Sequence, residues 1–330
     1  MSTVRVEQNA PPSPPPEKTA ATVQVHALTA GHLTLPENHF VHPASDLARS
    51  TVPSLAFLIQ HENLENGKKT RIVFDLGLRR DLERYPEPIQ RHAATRQPIS
   101  TDPDIVKSLA AGGLTPNDID YVMYSHVHWD HIGEPRDFTR STFIIGPGSM
   151  DLLQGTSSSL RGSHSHFEQD LLPQSRTFEL NPTSIKKELN NHKILTVDQP
   201  GVPNFQRPWV SYLNLPSTID LFQDGSLYIV DAPGHLPGHI NLLARTGPEE
   251  SVYLAGDACH DRRILRKEKT IGTWCDSEGF TCCIHSNREA AEQTIERIRG
   301  LENGGIEVIF AHDIEWEWNP ENRSRFWGSG

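Results

Sequence analysis

The sequence predicts an α/β domain with β-sheets in the middle and helices outside. Three observations point there. Short apolar runs rich in Val, Ile, Leu, Phe and Tyr recur from residue 23 to residue 313 and end in Gly, Pro or Asp. Few segments between them carry a helical pattern, which suits sheets covered by outer helices. No repeat and no linker interrupts residues 22–325, so one domain over 22–330 is the economical reading.

The expected strands lie at 23–30, 54–61, 71–77, 120–126, 141–147, 226–233, 239–246, 251–258 and 306–313. Helices are expected at 102–112, at 148–154 and, most clearly, at 287–304. In the last, Ser286 and Glu289 have capping-box spacing, and Ala291, Ile295 and Ile298 fall on one side. Residues 1–21 are rich in Pro, Ala, Ser and Glu without apolar periodicity and read as a disordered tail. Two irregular stretches, 155–173 and 259–283, are longer than ordinary connections and are candidate walls of a substrate pocket.

Composition narrows the function. The 330 residues carry 31 Lys and Arg against 42 Asp and Glu, a net charge of −11, which argues against nucleic acid as a partner. No apolar run reaches membrane-spanning length and the first residues lack a signal-peptide pattern, so a cytoplasmic location without membrane attachment is expected. The four cysteines, Cys259, Cys275, Cys282 and Cys283, crowd one region and are not a disulfide framework.

The chemical signal is strongest directly after the 120–124 run, where His126, His128, Asp130 and His131 fall within six residues. Ligands two apart can converge where a chain leaves a strand and turns. Imidazole with carboxylate suits zinc, manganese or iron better than calcium or magnesium. A solvated His-rich loop is the bland alternative. Three more polar elements follow expected strands: Asp231 to His239 (with Pro-Gly-His235), Gly256-Asp257 and Ala311-His312-Asp313. Each alone reads as a turn, but four strand ends of this kind can meet at one edge of a layered sheet.

The His-x-His-x-Asp-His run, Pro-Gly-His235, Asp257 and His312 together resemble the metallo-β-lactamase superfamily, from Phe74-Asp75-Leu76-Gly77 through His312. Ala311-His312-Asp313-Ile314-Glu315 resembles in particular its N-acyl homoserine lactonase-like branch. The resemblance implies a four-layer αββα sandwich of two mixed β-sheets flanked by helices. It implies two Zn2+ ions (Mn or Fe being alternatives), with His126, His128 and His235 on the first, Asp130, His131 and His312 on the second, and Asp257 bridging. Asp75 would orient the metal loop, and His239 would support the site without binding metal.

The implied reaction is opening of a small cyclic ester or amide, a lactone or lactam, and the family analogy extends it to detoxification of a foreign heterocycle. A water shared by two metals has its pKa lowered toward ~7, giving the hydroxide that attacks the carbonyl. Asp130 and His260 are the catalytic candidates. His260 stands where the branch has a tyrosine, three residues after the bridging aspartate, and would act as proton donor or be a surface histidine. A glyoxalase II-type thioester hydrolase would use the same ligands, and Arg262, Arg263 and Arg266 would then bind a glutathione carboxylate. A non-hydrolytic metal-binding or redox role is a further alternative.

Other residues are expected to be ordinary. His164 and His166 read as a mobile polar loop, and Cys282-Cys283 as reduced thiols. Cys259 is close enough in sequence to approach the site. Phe167, Trp209, Tyr212, Trp274 and Phe280 are candidates for an apolar pocket, each more simply explained by packing.

Overall fold

A computed structural model describes residues 21–156, 160, 162–181 and 199–329. The tail expected over 1–21 lies, except for its last residue, outside the described residues.

Two six-stranded sheets dominate. The first runs β1 (Val23–Pro36), β2 (Arg49–Glu62), β3 (Lys69–Phe74), β4 (Tyr121–Met123), β5 (Thr142–Ile145), β6 (Thr177–Glu179), each beside the next. Its first three strands are antiparallel and the rest parallel. The second sheet is built likewise from β7 (Val210–Tyr212), β8 (Leu215–Asp220), β9 (Leu227–Asp231), β10 (Ile240–Arg245), β11 (Ser251–Leu254) and β12 (Glu307–Ile309). It is antiparallel except where β12 joins β11 in parallel. Both sheets are therefore mixed, as expected.

The period-2 alternation of a strand assigns the faces. On β2, Leu55, Phe57 and Ile59 join Ile72, Phe74, Met123 and Ile144 of the first sheet, and Ile229, Leu242, Leu254 and Ile309 of the second, in one core between the sheets. The intervening residues, Ala56, Leu58, Val73, Val122, Phe143 and Val230, belong to a second core with Ile89, Leu109, Leu152, Ile295 and Ile298 of the helices. One face of each sheet thus packs on its partner sheet and the other on helices, the αββα arrangement.

All nine expected strands form, and the three expected helices lie at Ile105–Ala111, Ser149–Leu153 and Arg288–Asn303. The longest starts one residue later than its capping box suggested: Asn287 is the cap, and its side chain accepts from Ala290 N–H. A helix at Glu87–Ala94, β6 to β8 and the ribbon Thr273–Cys275/Thr281–Cys283 were not expected. Among the described residues no helix is long and apolar enough to cross a membrane.

Candidate metal centre

The four polar strand ends do meet. The loop after β4 carries His126 to His131, the turn after β9 carries His235, and β11 and β12 deliver Asp257 and His312. His126, His128, His235 and Asp257 bring one ligand atom each within 4.8 Å of one another, and Asp130, His131 and His312 do the same. All seven are buried.

Asp75 sets the first loop. It follows β3 with φ 62°, a left-handed conformation costing a non-glycine residue roughly 1–2 kcal/mol, and its hydrogen bonds offset that. Its Oδ1 accepts from Ser125 N–H at 2.7 Å, and its Oδ2 accepts from Ser125 Oγ–H at 2.7 Å and from His131 Nδ1–H at 3.0 Å. Because Ser125 Oγ donates to Asp75, it accepts from His126 Nδ1–H at 2.9 Å, which leaves His126 Nε2 unprotonated. The role expected for Asp75 has this physical basis. Gly256, at φ 47°, lets the Asp257 turn pass close by; a Cβ there would meet Ser125 Cβ at 2.8 Å. His239 Nε2 then accepts from Asp257 N–H at 3.0 Å, supporting the site rather than joining the donor groups.

His164 departs from expectation. It is 3 % exposed, not a residue of a mobile polar loop, and its Nε2–H donates to Cys283 O at 3.2 Å. Its Nδ1 therefore accepts from His128 Nε2–H at 3.1 Å, and His128 turns an unprotonated Nδ1 inward. That Nδ1 lies 2.9 Å from His126 Nε2 and 3.0 Å from His235 Nε2. Two lone pairs from His126 and His128 converging this closely call for a cation, and the spacing approaches the ~3.3 Å edge that zinc–nitrogen bonds of about 2.0–2.1 Å make at tetrahedral angles.

The second group is arranged likewise. His312 Nδ1–H donates to Pro53 O at 2.7 Å, so its Nε2 faces inward, 3.4 Å from Asp257 Oδ1 and 3.6 Å from Asp130 Oδ2. His131 Nε2 lies 3.3 Å from the same Asp257 oxygen, and both atoms are buried without a hydrogen-bond partner. The other oxygen, Asp257 Oδ2, faces His235 Nε2 at 3.5 Å and His126 Nε2 at 3.7 Å. One carboxylate therefore stands between the groups with an oxygen toward each.

Electrostatics differ across the centre. Burial holds His126, His128 and His235 well below the ordinary histidine pKa, so they are neutral and ready to donate lone pairs. Burial opposes charge on His131 and His312 as well, but Asp257 outweighs it, helped by Asp75 at the first and Asp130 at the second, and both are raised. The negative field that attracts a proton there attracts a divalent cation too. The donor set fits two metal ions.

His260 is buried, not at the surface. Its Nε2–H donates to Asp257 Oδ2 at 3.0 Å, while its Nδ1 has no partner. His285 escaped sequence reasoning because nothing in its spacing marks it. It is buried with both ring nitrogens unpartnered, and with His235 and His260 it makes a third group of converging nitrogens.

Two cavities meet here. One of about 30 Å³ touches His128, Asp130, His235, Asp257, His260 and His312. The other, about 340 Å³, shares Leu35, Phe40, His260 and His312 with it and is within the range of small-molecule sites. The described residues of the first irregular stretch line neither cavity but touch a donor residue, Phe167 stacking on His128 at 5.9 Å, while the second stretch supplies His260, Asp261, Arg262 and Arg263 to the larger cavity. Trp274, in the second stretch, stacks on His39 at 4.2 Å. Trp209 and Tyr212 serve packing elsewhere, donating to Asn181 O and stacking on Tyr228, and Phe280 is exposed. His166 lies by His92, apart from the donor groups. No disulfide joins the four cysteines, and burial pushes the Cys259 thiol up to about 12, so it is inert. The arginines offered for a glutathione carboxylate are taken: Arg262 pairs with Asp313 and Glu302, Arg263 with Asp261 and Glu37, and Arg266 with Glu315 and Glu268.

Comparison with known proteins identifies the family. Residues 49–152 match the metallo-β-lactamase superfamily pattern. The metallo-hydrolase mfmC of Annulohypoxylon moriforme is 30 % identical over 92 % of this chain and 82 % of its own. The chain belongs to the metallo-β-lactamase superfamily. The gamma-lactamase FDB1 of Fusarium pseudograminearum is 29 % identical over 79 % of this chain and 58 % of its own. The chain spans about a third of the length of other curated relatives, such as the cytochrome P450 monooxygenase mpaDE of Penicillium roqueforti, 30 % identical over 95 % of this chain and 35 % of its own. Among solved structures, an N-acyl homoserine lactone hydrolase with its product at the catalytic metal centre shares the metallo-β-lactamase fold, with a TM-score of 0.59 and 19 % identity over 90 % of this chain and 96 % of that one.

Proposed function

We propose that the protein is a dinuclear hydrolase that opens a small cyclic ester or amide, with residues 22–330 acting as one domain. The observation that carries this reading is Asp257, whose Oδ1 faces His131 and His312 and whose Oδ2 faces His126 and His235. In this reading His126, His128 and His235 would hold one ion and Asp130, His131 and His312 the other, with Asp257 offering an oxygen to each group. Two divalent ions, zinc by this donor set, would supply an acidified water and polarise the scissile carbonyl.

The chain's own residues do the rest. Asp75, Ser125, His164 and Pro53 O fix ring orientations, so the ligands need no rearrangement. Leu35, Phe40 and Val41 give the larger cavity an apolar wall for the ring. When the ring C–O or C–N bond breaks, the departing oxygen or nitrogen takes its electron pair and needs a proton. His260, anchored through Nε2–H to Asp257 and lining both cavities, would take up at Nδ1 the proton that the attacking water loses and hand it to that departing atom. The gamma-lactamase relative supports the lactam side, and the lactonase structure supports the shape only. The paired state of Arg262, Arg263 and Arg266 disfavours the glutathione-thioester reading.

The test is metal analysis together with a panel of γ-butyrolactone, phthalide, oxindole and an S-acyl thioester, assayed with zinc-loaded and chelator-treated protein. Two metals per chain and metal-dependent opening of a lactone or lactam are expected. Cleavage of the thioester alone would overturn the reading in favour of a glyoxalase II-type enzyme.

A further inference from the structure

Arg96 is a buried cation at the centre that forms no contact ion pair; burial opposes its charge, the Asp130 carboxylate on the same cavity favours it, and Arg49 opposes it. It lines the cavity of about 30 Å³ together with His128, Asp130, Asp257, His260 and His312, and is 9 % exposed. Its backbone is fixed just past the Glu87–Ala94 helix, its N–H donating to Ala93 O and its carbonyl accepting from Thr34 N–H, both at 2.9 Å. Its guanidinium makes no hydrogen bond or ion pair with any described residue. Of the other buried arginines, Arg79 meets Glu168 at 2.8 Å and Glu134 at 3.5 Å, whereas Arg245, 7 % exposed and away from both cavities, also has no ion pair with a described residue, so it is the place of Arg96 in the small cavity that sets it apart. Arg262 and Arg263, in the larger cavity, are also paired. A buried guanidinium kept unpaired is costly, and that cost is removed when an anion arrives.

Size decides which anion. Since one water needs roughly 10–15 Å³ of such space, the small cavity takes about two waters or one carboxyl group, but no ring. The ring fits the larger cavity, which adjoins the small one at Leu35, Phe40, His260 and His312. Only the reacting acyl group then reaches Arg96. Resting on the lactone or lactam reading above, we propose that Arg96 receives the carboxyl group created by ring opening. A water oxygen bonds to the acyl carbon, and the ring C–O or C–N pair leaves with the oxygen or nitrogen, which takes a proton. The new acid releases its remaining proton and pairs as carboxylate with Arg96. The guanidinium therefore meets little charge in the neutral substrate and most after the bond has broken, which places its effect on kcat and on product affinity.

The experiment uses zinc-loaded wild type, Arg96→Gln and Arg96→Lys, with phthalide turnover and calorimetric binding of benzoate against neutral benzamide. Charge-assisted hydrogen bonds of ordinary strength make the expected losses for Arg96→Gln at least about tenfold in kcat and in benzoate affinity, with KM and benzamide binding little changed. Arg96→Lys should retain a large part of both. The melting temperature of Arg96→Gln should equal or exceed that of wild type, because an unpaired buried charge has gone. Unchanged benzoate affinity, or a loss of kcat tracking a loss of zinc or a lower melting temperature in both variants, would overturn the proposal. If wild type opens no ring while benzoate binding depends on Arg96, the lactone or lactam reading fails and the anion site stands.

Discussion

His128 Nε2 lies 3.1 Å from His164 Nδ1, and that contact decides which nitrogen of His128 faces the metal centre. The chain of donors runs from His128 through His164 to Cys283 O, tying the short 3-10 turn at Gly162–Ser165 and the Thr281–Cys283 strand to a ligand. Removing such an outer partner typically costs about 10–100-fold in metal affinity. His164→Ala should lower zinc affinity by that order in a competitive chelator titration, with the fold intact by circular dichroism. His164→Asn, whose side-chain oxygen can accept the same hydrogen, should recover part of it.

Asp75→Asn should harm both loop geometry and metal binding. The carboxylate accepts three hydrogen bonds, from Ser125 N–H, Ser125 Oγ–H and His131 Nδ1–H. An amide offers one oxygen and turns an NH2 toward groups that are themselves donors. With buried donors left unsatisfied at about 1–3 kcal/mol each, a loss of roughly 2–4 kcal/mol is expected in denaturant unfolding. Zinc bound at the His131 group should fall more than zinc at the His126 group.

Acid should weaken the fold through histidines outside the ligand set. Burial lowers His92 to about 3 and His39 to about 4, with Arg96 adding to both. Their folded values lie below the unfolded 6.5, so above about pH 6.5 neither state is protonated and the groups contribute no pH dependence. As pH falls through 6.5 toward 4 and then 3, the unfolded chain takes up protons that the folded one refuses, and stability declines. Melting temperature should fall over that window, and His92→Gln should make the curve flatter. A slope unchanged by the substitution would remove His92 from the account.

What was legible in the sequence follows from what spacing encodes. Runs such as Leu55 to Ile59 are apolar on both faces because each face meets a core, so they announced strands without ambiguity. The seven proposed ligands were found because each follows such a strand. β7 and β8 were missed because Val210, Ser211, Tyr212 and Pro216 lie at a half-exposed edge with no continuous apolar run. The Glu87–Ala94 helix buries only Ile89 and Ala93, too weak a pattern to stand out. His164, His285 and Arg96 are functional candidates only because tertiary packing buries them beside the centre, and no local pattern records that.

Asp257→Ala should reduce the metal content and abolish turnover. Burial favours the protonated form of Asp257, but His131, His312 and His260 together hold its carboxyl well below the ordinary range, so it is an anion shared among them. Removing it takes an oxygen from each donor group at once. Elemental analysis should show fewer than two zinc ions per chain, and full activity with normal metal would refute the bridging role.

His260 gives the sharpest test of chemistry because its role depends on the leaving group. The ring is buried, held through Nε2 to Asp257 at 3.0 Å, and lies 5.1 Å from Phe40, which fixes its plane at the junction of the two cavities. A good leaving group departs without a proton, whereas an alkoxide or amide nitrogen does not. His260→Ala should therefore slow an alkyl lactone or a lactam by about 10²–10⁴-fold, the ordinary contribution of a general acid, and slow an activated aryl ester much less. The measurement is kcat across a leaving-group series, with zinc content checked in parallel because His260 also touches Asp257. A steeper dependence on leaving-group pKa in the variant is the signature of a lost proton donor. An equal slowing of every substrate, or one that tracks lost zinc, would assign His260 to holding Asp257 in place instead.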